Sequence, residues 1–263
     1  MELRGAVVAI TGASAGIGRA CAFAFAREGC RLALAARRVD RLEEIAAALP
    51  STEALVHATD VADAAQVRSF VDATIARFGR LDVLVNNAGF GVRGSVEDTP
   101  DEDYRRLMEA NYYGTVYGCR AAVPIMKRQG SGVIINISSI VGHRSLPGGG
   151  AYAATKAAQV SLTESLRVEL RGTGVHACSV HPVGTATEFG DVAQRESPGR
   201  SGGPVGPQQT AEQVAEAIVR CARKPKPEVY PHPLSRGLVA LNAIAPGIVD
   251  FWAWRAARKA GRL

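Results

Sequence analysis

The sequence lacks paired cysteines. Its five, Cys21, Cys30, Cys119, Cys178 and Cys221, are scattered with no C-x-x-C among them, which argues against a metal site or disulfide framework and fits a reducing, cytoplasmic compartment. It lacks any zinc-finger or RNA-recognition signature, so a net charge of +6 gives no ground for a nucleic-acid partner. It also lacks a long unbroken apolar run. The first run, residues 6–10, passes straight into a glycine-rich turn and reads as a strand, not a signal peptide. The last, residues 238–254, is interrupted by Asn242, Pro246, Gly247 and Asp250 and does not read as a membrane span. What remains is a chain of 263 residues, 47% hydrophobic, long enough to bury a sizeable core.

The chemistry concentrates in residues 136–158, NISSIVGHRSLPGGGAYAATKAA. A buried-strand pattern at 133–137 leads through Ser138 and Ser139 into a Gly/Pro loop, then into a helical segment carrying Tyr152 and Lys156. Four residues apart, these two share a helix face. A phenol titrates near pH 10, and a neighbouring ammonium is expected to lower that value. Tyr152 beside Lys156 therefore reads as a proton donor and acceptor for a carbonyl/alcohol pair, with Ser139 offering a second hydroxyl.

Upstream, a strand at 6–10 is followed by T-G-A-S-A-G-I-G at 11–18 and then a helix. Strand, glycine turn and helix start together form an anion site for a pyrophosphate. The second strand, 31–36, ends on Arg37-Arg38 where a ribose-binding carboxylate would commonly stand. Two guanidiniums suit a 2′-phosphate, so the expected cofactor is NADP(H). Strands at 54–59 and 81–85 alternate with helices at 41–49 and 64–78, the pattern of a parallel α/β sheet. A long helix is expected over 101–128.

Together, the glycine turn, Asn86-Asn87-Ala88-Gly89, Ser139, Tyr152 and Lys156 resemble the short-chain dehydrogenase/reductase family over residues 5–190. The resemblance implies a single α/β domain, Rossmann-type, with a doubly wound parallel sheet of about seven strands. It implies cofactor contacts from Gly12, Ser14, Ala15, Gly16, Ile17 and Gly18, from Asp60 and Val61 around the adenine, and from Asn87, Ala88 and Gly89 beneath the ring. Tyr152 and Lys156 would hold the nicotinamide ribose, and Pro182, Val183 and Thr187 its carboxamide or phosphates. Asn111, Ser139, Tyr152 and Lys156 would form the catalytic set, Asn111 holding a water that links Lys156 to solvent. The family usually has Pro-Gly where this chain has Pro182-Val183, and valine tolerates fewer conformations than glycine.

The implied activity is hydride transfer between NADP(H) and a carbonyl or secondary alcohol, with a bulky apolar substrate expected. The alternative is a non-catalytic dinucleotide-binding redox sensor or scaffold. Residues 188–209, poor in apolar side chains, are expected to be a substrate lid, mobile until ligand binds. Residues 233–263 depart from the family core as a C-terminal helical extension. Two tryptophans beside a basic end would make an interfacial membrane anchor; the other reading is a helix pair over the pocket or against a partner subunit. Pairing through the helices holding Asn111 and Tyr152, as in the family, would give a homodimer or homotetramer. His181, alone at a strand end, reads as structural.

Overall fold

The computed structural model describes residues 1–200 and 208–259. Its strands carry unbroken apolar runs because both of their faces are covered. β1 (Val7–Thr11) is buried throughout, and α1 (Gly16–Arg27) returns the chain to β2 (Arg31–Ala36). α2 (Val39–Ala47), β3 (Ala54–Ala58), α3 (Ala64–Phe78) and β4 (Val83–Asn86) follow. α3 is punctuated at both ends: the Asp63 carboxylate accepts from the Ala65 and Gln66 N–H groups, and Gly79 closes it with φ 76°.

The helix expected over 101–128 is three segments. α4 (Asp101–Leu107) runs into a π-helical stretch, Met108–Tyr113, before α5 (Gly114–Gln129). The wider turn turns Asn111 inward, where it is fully buried. β5 (Gly132–Ile137), α6 (Gly150–Glu169) and β6 (Val175–Val180) complete the central region. The expected loop at 188–209 is also structured. β7 (Gly184–Ala186) pairs in parallel with β8 (Gln208–Thr210), and α7 (Phe189–Arg195) lies between them; residues 201–207 of that stretch lie outside the described residues. α8 (Ala211–Arg223) opens on a capping box between Thr210 and Gln213. β9 (Glu228–Val229), α9 (Ser235–Ile244) and α10 (Pro246–Lys259) end the described chain.

The large sheet has seven strands in the order β3-β2-β1-β4-β5-β6-β9, all pairings parallel. Period-two alternation sends Val8 and Ile10 to one core, with Phe25, Leu34 and Ile218, and Val7 and Ala9 to the other, with Phe70, Leu84 and Met126. The fold is thus an α/β Rossmann-type sandwich. The chain runs outward from β1 to β3, then crosses back to β4. The ends of β1 and β4 therefore form the topological switch point, where such sheets open a crevice for ligands.

Candidate active site

The crevice is built by the turn after β1 and the segment after β4. Thr11 Oγ1 accepts from the Asn87 and Ala88 N–H groups at 3.0 and 3.1 Å. Asn87 Nδ2 donates back to the Thr11 and Gly12 carbonyls at 2.9 and 3.2 Å. The turn must pack this tightly. A Cβ on Gly12, whose φ is 66°, would come within 2.7 Å of Ala88 Cα, and one on Gly18 within 2.3 Å of the Gly12 carbonyl. Beyond it, α1 starts after an extended Ala15 with no side-chain cap and no acidic residue in its first turn. Its uncapped N–H groups and positive dipole end fit a pyrophosphate. Ala15, Gly16 and Ile17 are partly exposed on this turn, while Ser14 is buried.

At the end of β2, Arg37 and Arg38 are exposed. Arg38 reaches Ser14 Oγ at 3.3 Å and Glu188 at 3.1 Å. Arg41, which the sequence reading did not single out, joins it on Glu188 at 2.6 Å. Asp60 is half-buried and its Oδ1 accepts from the Ala62 N–H. Val61 beside it is buried, close against Gly114.

Lys156 is the best-buried charge of the site, 4% exposed. Its Nζ donates to the Ile137 carbonyl and to Gln159 Oε1, both at 2.8 Å, and lies 5.5 Å from the Tyr152 ring centre. Burial pushes Lys156 down to about 7 and pushes the Tyr152 phenol up from its ordinary value. Desolvation alone moves Tyr152, in the direction opposite to the lowering expected from the ammonium. Ser138 and Ser139 are separated plainly: Ser138 is buried and donates to the Lys156 carbonyl at 2.9 Å. Ser139 is partly exposed, caps the short turn Ile140–Gly142 and donates to the Pro182 carbonyl at 3.3 Å.

The Asn111 side chain is fixed by the Phe90 N–H and carbonyl at 3.0 and 2.9 Å and by Thr155 Oγ1 at 3.0 Å. Asn111 was expected to hold a water that links Lys156 to solvent. A side chain also bridges the two residues: Gln159 Nε2 donates to the Asn111 backbone carbonyl at 2.8 Å and to Thr115 Oγ1 at 2.6 Å, while its oxygen faces Lys156. Gln159 was not anticipated. It stands three residues beyond Lys156, a helix-neighbour spacing that could have flagged it. A Cβ on Gly89 would lie 2.7 Å from Asn111 Oδ1 and 3.9 Å from Lys156 Nζ, so the segment after β4 reaches this cluster.

The mouth is closed from β6 onward. Pro182 is buried, and Val183 takes ordinary backbone angles, since among the described residues no non-glycine has positive φ. The valine in place of glycine is therefore accommodated without strain. Thr187 lies over the glycine turn, 3.2 Å from where a Gly16 Cβ would be, and the Phe189 ring packs 5.3 Å from the Tyr152 ring.

Crevice, uncapped helix start and tight glycine turn together suit a dinucleotide, and comparisons with known proteins agree. The family described as short chain dehydrogenase matches residues 6–197. An uncharacterized oxidoreductase of Staphylococcus saprophyticus is 36% identical over 187 residues, 70% of this chain and 76% of its own. The Bos taurus dehydrogenase/reductase SDR family member 7B is 33% identical, covering 94% of this chain and 79% of its own. A short-chain dehydrogenase/reductase from Burkholderia phymatum, solved in complex with NAD, superposes with a TM-score of 0.86 at 30% identity, over 94% of this chain and 96% of that one. An alcohol dehydrogenase from Thermococcus sibiricus, complexed with 5-hydroxy-NADP, superposes at 0.74 and 34%, over 86% and 95%. The chain is an oxidoreductase and belongs to the short-chain dehydrogenase/reductase family.

Proposed function

We propose that this oxidoreductase uses NADP(H) to interconvert a carbonyl and a secondary alcohol on a bulky apolar substrate, with Ser139, Tyr152 and Lys156 reacting and Asn111 positioning them. The observation that carries the reading is a buried lysine one helical turn from a cleft phenol. When bound, the nicotinamide supplies or accepts the hydride. The chain's own residues do the rest. The Ser139 and Tyr152 hydroxyls hold the carbonyl oxygen between them. Burial keeps Tyr152 protonated at neutral pH, so it gives up its proton only to an oxygen that is gaining negative charge. Lys156, its protons directed by the Ile137 carbonyl and Gln159, stabilises the phenolate left behind.

Arg38 and Arg41, with no carboxylate at the end of β2, support NADP(H) over NAD(H). A non-catalytic sensor or scaffold is disfavoured, because a binding module has no use for a desolvated lysine beside the tyrosine. The exposed apolar face of α9 and α10, flanked by exposed Arg255, Arg258 and Lys259, supports an enzyme resting on an anionic lipid surface, where apolar ketones concentrate, and the five free cysteines fit the cytoplasmic side of it. Pairing through α5 and α6 to a homodimer or homotetramer remains our expectation, checked by sedimentation velocity.

The test of the activity is NADPH and NADH oxidation over ketones of graded size. The expected result is NADPH consumption that rises with apolar bulk. Tyr152→Phe should lose about 10²-fold or more in turnover while still binding dinucleotide. Binding without consumption across the whole panel would favour the sensor.

A further inference from the structure

Glu188 joins two parts of the site that are far apart in sequence. Its Oε2 accepts from Arg38 Nη1 at 3.1 Å and its Oε1 from Arg41 Nη1 at 2.6 Å. The two guanidiniums hold the carboxyl below the usual carboxylate range, so it is an anion at neutral pH. The preceding residue, Thr187, lies over Gly16, and the following one, Phe189, lies against Gly91 and the Tyr152 ring. The segment therefore crosses the crevice from the tyrosine to the end of β2, and its carboxylate ends on Arg38 and Arg41. Its far end is fastened separately, by Glu196 on Arg106 at 2.6 Å and by Arg200 on the buried Asp103 at 2.7 Å.

We propose that Glu188 is a built-in competitor for the cofactor's 2′-phosphate, a latch that holds α7 across the crevice until a 2′-phosphorylated dinucleotide takes Arg38 and Arg41 from it. The inference rests on the reading that these arginines meet the 2′-phosphate. A phosphate monoester carries nearly two charges and three acceptor oxygens against one charge and two oxygens on the carboxylate, so it displaces Glu188. An unphosphorylated dinucleotide offers these arginines nothing and leaves the latch shut. The two ion pairs are half-exposed, so releasing them unpacks no core. The preference for NADP(H) comes from Arg38 and Arg41; the latch costs part of that affinity and in exchange couples arrival of the 2′-phosphate to the position of the segment beside Tyr152.

The experiment is calorimetric titration of the full-length protein with NADP⁺, NAD⁺, adenosine 2′,5′-bisphosphate and 5′-AMP, in the wild type, in Glu188→Gln and in the double variant Arg38→Ser/Arg41→Ser. Glu188→Gln should tighten NADP⁺ and the bisphosphate about threefold to tenfold, the range two half-exposed ion pairs allow, and leave NAD⁺ and 5′-AMP within about twofold. Without any dinucleotide, amide exchange across α7 should be faster in Glu188→Gln than in the wild type. If Glu188→Gln weakens NADP⁺ binding, Glu188 orients the arginines and the latch is overturned. If the double variant loses the preference for NADP⁺ while Glu188→Gln changes nothing, the cofactor reading stands and the latch alone fails. If the double variant keeps the wild-type ratio of NADP⁺ to NAD⁺ affinity, the cofactor reading fails and the latch with it.

Discussion

Among single side chains, Gln159 has the clearest consequence. Its amide nitrogen is committed to Asn111 and Thr115, so its oxygen faces Lys156 and can only accept. It thereby favours the charged lysine in surroundings that push Lys156 down to about 7. Gln159→Leu removes that acceptor, so Lys156 should lose its proton at lower pH. The alkaline limb of kcat/KM for ketone reduction should then move to lower pH by about one unit. Gln159→Glu, which places an anion at the same atom, should move the limb to higher pH. The Leu variant should also lose about 1–3 kcal/mol of stability, because a buried polar partner is left unmade. Identical pH profiles for all three proteins would remove Gln159 from the proton balance of the site.

Elements meet at the end of β6, where His181 is fully buried with Nε2 2.9 Å from Ser179 Oγ. The Tyr230 ring stacks on it at 4.8 Å and the His143 ring lies at 4.5 Å. Glu228 on β9 accepts the Tyr230 hydroxyl at 2.8 Å, and that hydroxyl also meets His143 Nε2 at 3.2 Å. His143, His181 and Glu228 offer donor atoms within 4.8 Å of one another, yet Tyr230 and Ser179 already engage all three as a hydrogen-bonded sheet edge. Burial first, then His143, pushes His181 down to about 4. An unfolded histidine titrates near 6.5, so the unfolded chain takes up this proton first as pH falls. Stability is full above about pH 6.5 and should decline toward pH 4 by about 3 kcal/mol in all. Thermal melts across that range should show the slope, and His181→Gln should flatten it; an unchanged slope would assign the acid sensitivity elsewhere.

The same scale explains what the sequence made legible. Strands 31–36 and 175–180 and the helix 64–78 are found where their patterns put them, because buried parallel strands leave unbroken apolar runs and Gly79 is an unambiguous stop. The parallel α/β sheet followed from that alternation, and its seven strands from the family resemblance. The π turn at Asn111 did not, since its cause is tertiary: bonds to Phe90 and Thr155, 21 and 44 positions away. β7 and β8, three residues each, are too short to show a period. α7 is apolar-poor and held by ion pairs to distant residues, as Arg41 is to Glu188 across 147 positions.

For the molecule as a whole, the C-terminal helices carry most of the exposed large apolar side chains among the described residues. They attach beside the loop that follows Ser139, through Arg144 to Asp250 at 2.7 Å and Asn242 Nδ2 to the His143 carbonyl at 3.3 Å. Ser235, Val249 and Ala257 are buried, while another face is open: Ile244 is 84% exposed, Trp252 63% and Ile248 53%. Among the described residues no single helix is long and apolar enough to cross a membrane, and α9 and α10, which qualify together, are bent by 118°. That shape suits a hairpin lying in the interface, with arginines toward anionic headgroups and tryptophans at the boundary. Each large side chain inserted is worth about 1.5–3 kcal/mol and each cation about 1 kcal/mol near an anionic surface, enough together for reversible binding. The full-length protein should therefore co-sediment with vesicles containing phosphatidylserine, less so with neutral vesicles or at high salt. The triple variant Ile244→Glu/Ile248→Glu/Trp252→Glu should keep its turnover of a water-soluble ketone, lose vesicle binding, and show a raised KM only for a ketone dissolved in the bilayer. If the wild type ignores vesicles but sediments as a dimer that the triple variant dissolves, the face belongs to a second copy of the chain and the lipid reading is wrong.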